Sequence, residues 1–206
     1  MVNEVIGTVE GGTRTFETKA PVYQNEVIAT GAAGGTELQF LDGSTLTMGE
    51  NSLVELTYLV FDPNPALSTM VMSMTTGAFS FATGELDSGA YIIYTSSATI
   101  GVRGTVFAIA IVNGVTTLTV TSGTVIITGT AIGALPVAVA AGQMVAVLAV
   151  GIAGPIGATT AATSASAAGG LGTGGVIGAG VAVAAAVGVA VQAVLSEDEV
   201  VTTTTQ

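Results

Sequence analysis

The chain is predicted to be mainly β: an antiparallel multi-stranded sandwich or solenoid-like domain, followed by a C-terminal Gly/Ala-rich arm and a small-residue helix. Three features of the first 150 residues predict the β domain. Thr and Val recur throughout, and both suit a pleated, half-buried surface. Apolar and polar residues alternate over short runs. Glycine-containing turn signals separate those runs at short intervals.

The clearest alternation is in ELQFLDGSTLTMGENSLVELTYL, where Leu38 and Phe40, then Leu46 and Met48, share one parity about Asp42-Gly43. An Asp-Gly pair between alternating runs predicts a hairpin. FDPNPALS, residues 61–68, is the Pro-rich interruption and reads as a surface turn. A calcium loop there could draw on Asp62 and Asn64, but two side chains are too few for a cation that takes six to eight oxygens. Further strands are expected at Val71–Met74, Ala78–Phe81, Tyr91–Thr95, Thr105–Val112, Thr116–Thr121, Thr124–Thr128 and Val137–Val147. Asn113-Gly114, Ser122-Gly123 and Gly142 supply turn signals among them.

The texture changes near Gly151. Residues 151–175 are rich in Gly, Ala, Ser and Thr, with little to build a core, and read as an arm or linker. Residues 176–195, VIGAGVAVAAAVGVAVQAVL, form an uninterrupted apolar run. Gly170, Gly174, Gly178, Ala182 and Ala186 recur every fourth residue, which on a helix makes one small-residue face for close packing. The odd-parity valines 181, 183, 187, 189 and 191 would equally give a strand one bulky face. Length and alanine content favour the helix. The run could cross a bilayer core, but it lacks flanking Lys or Arg and interfacial Trp or Tyr, so a subunit contact is preferred to a membrane anchor. Residues 196–206 are an acidic, Thr-rich tail.

Composition removes several function classes. The chain has no Cys, His or Trp, and its basic residues are Arg14, Lys19 and Arg103. Ordinary zinc, copper, haem and iron–sulfur ligation, and Cys–His or Ser–His nucleophiles, are therefore not expected. No catalytic residue, metal or cofactor is expected. The net charge of −11 argues against nucleic acid and against an anionic membrane surface. MVNEVIGTVEGG has no basic n-region or apolar h-region, so the expectation is an exported protein read without its signal peptide.

The segment AYIIYTSSATIGVRGTVFAIAIVNGVTTLTVTSGTVIITG resembles the core signature of the FecR-type domain family: a strand, GVRGT, an apolar strand, a glycine turn, and a T-x-V-x-x-G-x-V strand. ATGAAGGTELQFLDGSTLTMGENSLVEL and VAVAAGQMVAV are similar to its earlier and closing strands. The resemblance covers about residues 1–150 and implies an extracytoplasmic all-β domain. In the family's signalling members such a domain relays receptor occupancy to a sigma factor. Those members also carry an anti-sigma region, a membrane span and a further small domain, so the resemblance implies here a stand-alone secreted or periplasmic member.

Arg103 is the last charge before a stretch, Gly104 to Ser196, without Asp, Glu, Lys or Arg. It is expected to be a structural residue, partly buried and tied to a carboxylate, because an unpaired buried charge is costly. Asp42 is the first candidate partner, ahead of Glu37, Glu55, Glu85 and Asp87. Gly101 and Gly104 flank it and permit a bulge.

The uncharged half is poorly protected against association. The leading functional expectation is therefore a self-assembling extracellular filament or surface-lattice subunit, a homopolymer contacting its neighbours through the C-terminal arm. The alternative is a membrane-anchored periplasmic or surface sensor or binding module of the FecR type. An outer-membrane barrel fits poorly, because aromatic girdles are absent.

Overall fold

A computed structural model describes residues 1–148 and 151–157, apart from residues 7, 13, 63 and 88. In chain order the strands are β1 (Val2–Ile6), β2 (Val9–Gly11), β3 (Arg14–Thr15), β4 (Glu26–Thr30), β5 (Gly35–Gln39), β6 (Thr45–Met48) and β7 (Leu53–Val60). They continue as β8 (Thr69–Ala82), β9 (Tyr91–Tyr94), β10 (Ala98–Val112), β11 (Val115–Gly129), β12 (Val137–Ala140), β13 (Gln143–Leu148) and β14 (Gly151–Gly157). The predicted all-β class is what the described residues adopt, with a single short 3-10 turn at Pro65–Leu67.

Three long strands organise the fold. The first half of β8 pairs with β7 and β9, and its second half with β6 and β10. The first half of β10 pairs with β9, and its second half with β8. β11 follows β10 along its whole length, then meets β13 with its first half and β12 with its second. Two layers result. One runs β12-β11-β10-β9-β8-β7-β4-β2-β3, and the other β14-β13-β11-β10-β8-β6-β5-β1. The layers share one hydrophobic core and are joined along one side, so the architecture is a sandwich partly closed into a barrel.

A strand that passes between layers must keep its apolar side turned inward, and one extra residue is enough to swap its faces. β8 buries Met70, Met72 and Met74, then Phe79 and Phe81. β10 buries Ile100 and Val102, then Phe107, Ile109 and Ile111. β11 buries Leu118 and Val120, then Val125 and Ile127. Each switches from even to odd parity midway. At each switch stands a glycine with positive φ: Gly77 at 109°, Gly104 at 57° and Gly123 at 83°. L-residues rarely adopt that backbone.

This accounts for the main departures from the sequence reading. The parity breaks resemble turns, yet Val71–Met74 and Ala78–Phe81 are one strand, and Ser122-Gly123 is a bulge inside β11. Asn113-Gly114 is a true two-residue hairpin turn, with φ of 51° and 78° and Val112 opposite Val115. The Asp42-Gly43 hairpin sets Leu38 opposite Leu46. Val137–Val147 divides at Ala141-Gly142 into β12 and β13. Pairing is antiparallel except between β8 and β9. The loop after β8 carries the chain back to the first layer, so β9 starts beside the start of β8, with Met70 opposite Tyr91.

The sheet also runs past residue 150, where the arm was expected to begin: Gly151–Gly157 pairs with β13. The rest of the expected arm, the helix at 176–195 with Gly170, Gly174, Gly178, Ala182 and Ala186, and the tail at 196–206 lie outside the described residues.

Candidate functional site

The Asp42-Gly43-Ser44 turn and the loop after β8 meet at one buried polar centre. Tyr91, at the start of β9, is 1% exposed and Asp42 is 8% exposed. The Tyr91 hydroxyl donates to Asp42 Oδ2 at 2.5 Å and accepts from the backbone N–H groups of Gly84 at 2.9 Å and Leu86 at 3.3 Å. Asp42 Oδ1 accepts from the Ser44 hydroxyl at 2.7 Å and the Ser44 N–H at 3.2 Å. The Glu85 N–H closes the loop onto the Asp42 carbonyl at 2.9 Å. The Tyr91 ring stands edge-on to Phe81, which touches Phe107, so the centre is seated on the aromatic core. Burial, and then the hydrogen bond to Asp42 and its charge, push the Tyr91 phenol above its ordinary range. The centre is structural: both side chains are saturated with partners and withdrawn from solvent.

Asp42 was selected from sequence as the partner of Arg103, and its described partners are Tyr91 and Ser44. The side chain of Arg103 lies outside the described residues, and the expected pairing lies there with it. Tyr91 was legible as a strand residue, but no sequence signal connects it to an aspartate 49 positions earlier.

The GVRGT signature has a backbone explanation. Gly104 and Gly123 form facing bulges, and a Cβ on Gly123 would lie 2.4 Å from the Gly104 carbonyl oxygen and 2.5 Å from Thr105 Cγ2. Thr83, just beyond β8, clasps the same point: its hydroxyl accepts from the Thr105 N–H at 2.9 Å, and its N–H donates to the Thr105 carbonyl at 3.0 Å. Gly101 differs from its neighbour. Its φ is not positive, and a Cβ there would come no nearer than 4.0 Å to the Ile126 carbonyl oxygen. Gly101→Ala should therefore leave the urea midpoint unchanged or raise stability by up to about 1 kcal/mol. A loss above about 1 kcal/mol would mean the backbone there is tighter than its geometry indicates.

Of the other candidates, Asp62 and Asn64 each commit one side-chain oxygen to the turn. Asp62 Oδ1 accepts from the Asn64 N–H at 2.8 Å, and Asn64 Oδ1 from the Ala66 N–H at 3.2 Å. Among the described residues, no cluster of three or more acidic side chains is placed to hold a metal ion.

A groove of about 400 Å³ lies between the N-terminal segment, the turn after β5 and the end of β7. Tyr23, Phe40, Leu41, Leu59 and Phe61 line it, with Lys19 at its side. Leu41 is 87% exposed and Tyr23 60% exposed, and both are large apolar surfaces in water. The groove has apolar contact area but no paired titratable groups, so it is suited to holding a side chain or a short segment of another molecule rather than to chemistry.

Residues 26–126 match the family model described as FecR protein. No curated protein matches the chain. Two crystal structures of a proposed anti-sigma factor from Parabacteroides distasonis share the fold, with TM-scores of 0.54 and 0.55 at 14% and 15% identity. Both superpositions take in 70% of this chain but 66% and 65% of theirs, just under two thirds of their length. The polar centre at Asp42 and Tyr91, Gly101, Gly104 and Gly123 all fall inside the matched range, and residues 26–126 are a FecR-type domain.

Proposed function

We propose that the protein is a FecR-type regulatory or binding module that works outside the cytoplasm and takes up a segment of a protein partner in the groove beside Leu41. The observation that carries this reading is the family match over residues 26–126. The fold shared with a proposed anti-sigma factor supports it, as does a groove of exposed aromatic and aliphatic side chains. The filament reading rested on the uncharged half from Gly104 to Ser196 and on the arm and helix, and 158–206 lie outside the described residues. The family match favours the sensor alternative, which is preferred.

The test is genetic. Deleting the gene in its native host should shift a compact set of transcripts under one sigma factor. Leu41→Asp, produced at wild-type level, should reproduce most of that shift, because it sets a carboxylate in the apolar groove. An unchanged transcript profile in the deletion strain would overturn the regulatory reading. A normal response from Leu41→Asp would remove the groove from it.

A further inference from the structure

The second layer turns a small-residue face away from the core. In cross-strand register one row of it reads Ala78, Ala110, Thr117 and Ala146 across β8, β10, β11 and β13, with Ala108 and Thr119 beside it. Their parity is opposite to that of Phe79, Ile109, Leu118 and Val145, which fill the core. Yet Ala110 is 3%, Ala108 6% and Thr117 1% exposed. Comparable places on the outer face of the first layer differ: Thr99 is half-buried and Thr124 is exposed. Among the described residues, the apolar neighbours of Ala110 are Val115 and Met144, which belong to the same sheet. The Thr117 and Thr119 hydroxyls are buried here and have no hydrogen-bond partner among the described residues. A buried hydroxyl without a partner is costly, so this face calls for a surface that brings an acceptor.

We propose that the chain's own residues 176–195 lie on this face. Connection, charge and shape select them over another molecule. β14, in which the described chain stops at Gly157, belongs to the same layer, two strands from β11. That separation is ~10 Å, and residues 158–175 as a coil would reach roughly 23 Å. Such a tether holds the run at a millimolar effective concentration, which a free partner would have to match. Residues 176–195 carry no charge, and neither do the residues that β13, the second half of β8 and of β10, and the first half of β11 turn outward. Neither surface therefore strips an ion of water on contact. Gly178, Ala182 and Ala186 share one side of the expected helix, and small residues against small residues let two backbones approach closely. A helix carbonyl keeps a second lone pair, able to accept from the Thr117 hydroxyl. The contact covers an apolar run and a sheet face together, and it is independent of the groove beside Leu41, whose lining comes from other segments.

The test uses the full chain, which has no cysteine, so every introduced thiol is unique. Thr117→Cys is combined in turn with Gly178→Cys, Ala182→Cys and Ala186→Cys. Under mild oxidation of a dilute sample, at least one pair should close an intrachain disulfide, which needs Cα atoms within about 7 Å. Thr124→Cys, on the same strand but the opposite outer face, should close none with the same three. As single thiols, Thr117→Cys should react with a water-soluble maleimide about tenfold or more slowly than Thr124→Cys, and adding Ala182→Glu should remove most of that difference. Thr119→Cys repeats each measurement one row along, should Thr117→Cys alter the circular dichroism spectrum. Disulfides that form only between chains would assign the face to a second copy and overturn the proposal. So would a Thr117→Cys thiol as reactive as that of Thr124→Cys, or a protected one that closes no intrachain disulfide.

Discussion

Gly123→Ala is expected to lower the stability of the domain by about 4 kcal/mol, enough to leave a marginal protein largely unfolded. Two effects combine. The residue sits at φ 83°, where an L-side chain costs roughly 1–2 kcal/mol. Its Cβ would also stand 2.4 Å from a backbone oxygen and 2.5 Å from a methyl group, an overpacking worth about 1–3 kcal/mol. Relief by small movements is blocked. The obstructing oxygen belongs to Gly104, itself in a bulge, and the adjacent Thr105 is held by two hydrogen bonds to Thr83. The urea midpoint measures the loss, with Gly101→Ala as the neutral control on the same strand pair. A Gly123→Ala protein within about 1 kcal/mol of wild type would mean that the bulges flatten at little cost.

Tyr91→Phe should lower stability by about 3 kcal/mol at neutral pH, because it leaves the Asp42 carboxylate and the Gly84 and Leu86 N–H groups short of a buried partner. It should also change the alkaline behaviour. The folded state holds the Tyr91 proton more tightly than the unfolded chain, whose tyrosines titrate near pH 10. Above that pH the unfolded state binds fewer protons, so stability must fall as pH rises. The contribution is whole below about pH 10 and is lost progressively as pH climbs beyond it. Urea midpoints from about pH 7 to pH 11 should thus decline more steeply for wild type than for Tyr91→Phe above pH 10. Parallel curves, or a variant as stable as wild type, would show that Tyr91 does not hold the turn to the loop.

The β class and most hairpins were legible in the sequence because they rest on local rules. Asp42-Gly43, Asn113-Gly114 and Gly142 each carry turn chemistry within a few residues. The long strands were illegible for an equally definite reason. A parity break with a glycine is the local signature of both a turn and a bulge, and only tertiary pairing separates them. Ser122-Gly123 therefore reads as the end of a strand, although β10 carries β11 straight through it. The parallel β9 was hidden in the same way, since its position depends on β8 changing layers. At the polar centre, the sequence offers Asp42 as a carboxylate for Arg103, whereas the tyrosine that binds it comes from a different layer of the sandwich. The groove went unnoticed because Tyr23, Leu41 and Phe61 come from three separate turns, each unremarkable alone.

Three strands that belong to both layers also govern how the domain comes apart. Two sheets held only by face-to-face packing can slide or peel, each keeping its own hydrogen bonds. Here, parting the layers means breaking β8, β10 and β11 at their midpoints, where Gly77, Gly104 and Gly123 hold the crossing. The sheets lack independent unfolding routes, so tension applied at one chain end reaches both at once. The domain yields as a unit: a stiff coupling able to pass a pull from one face to the other.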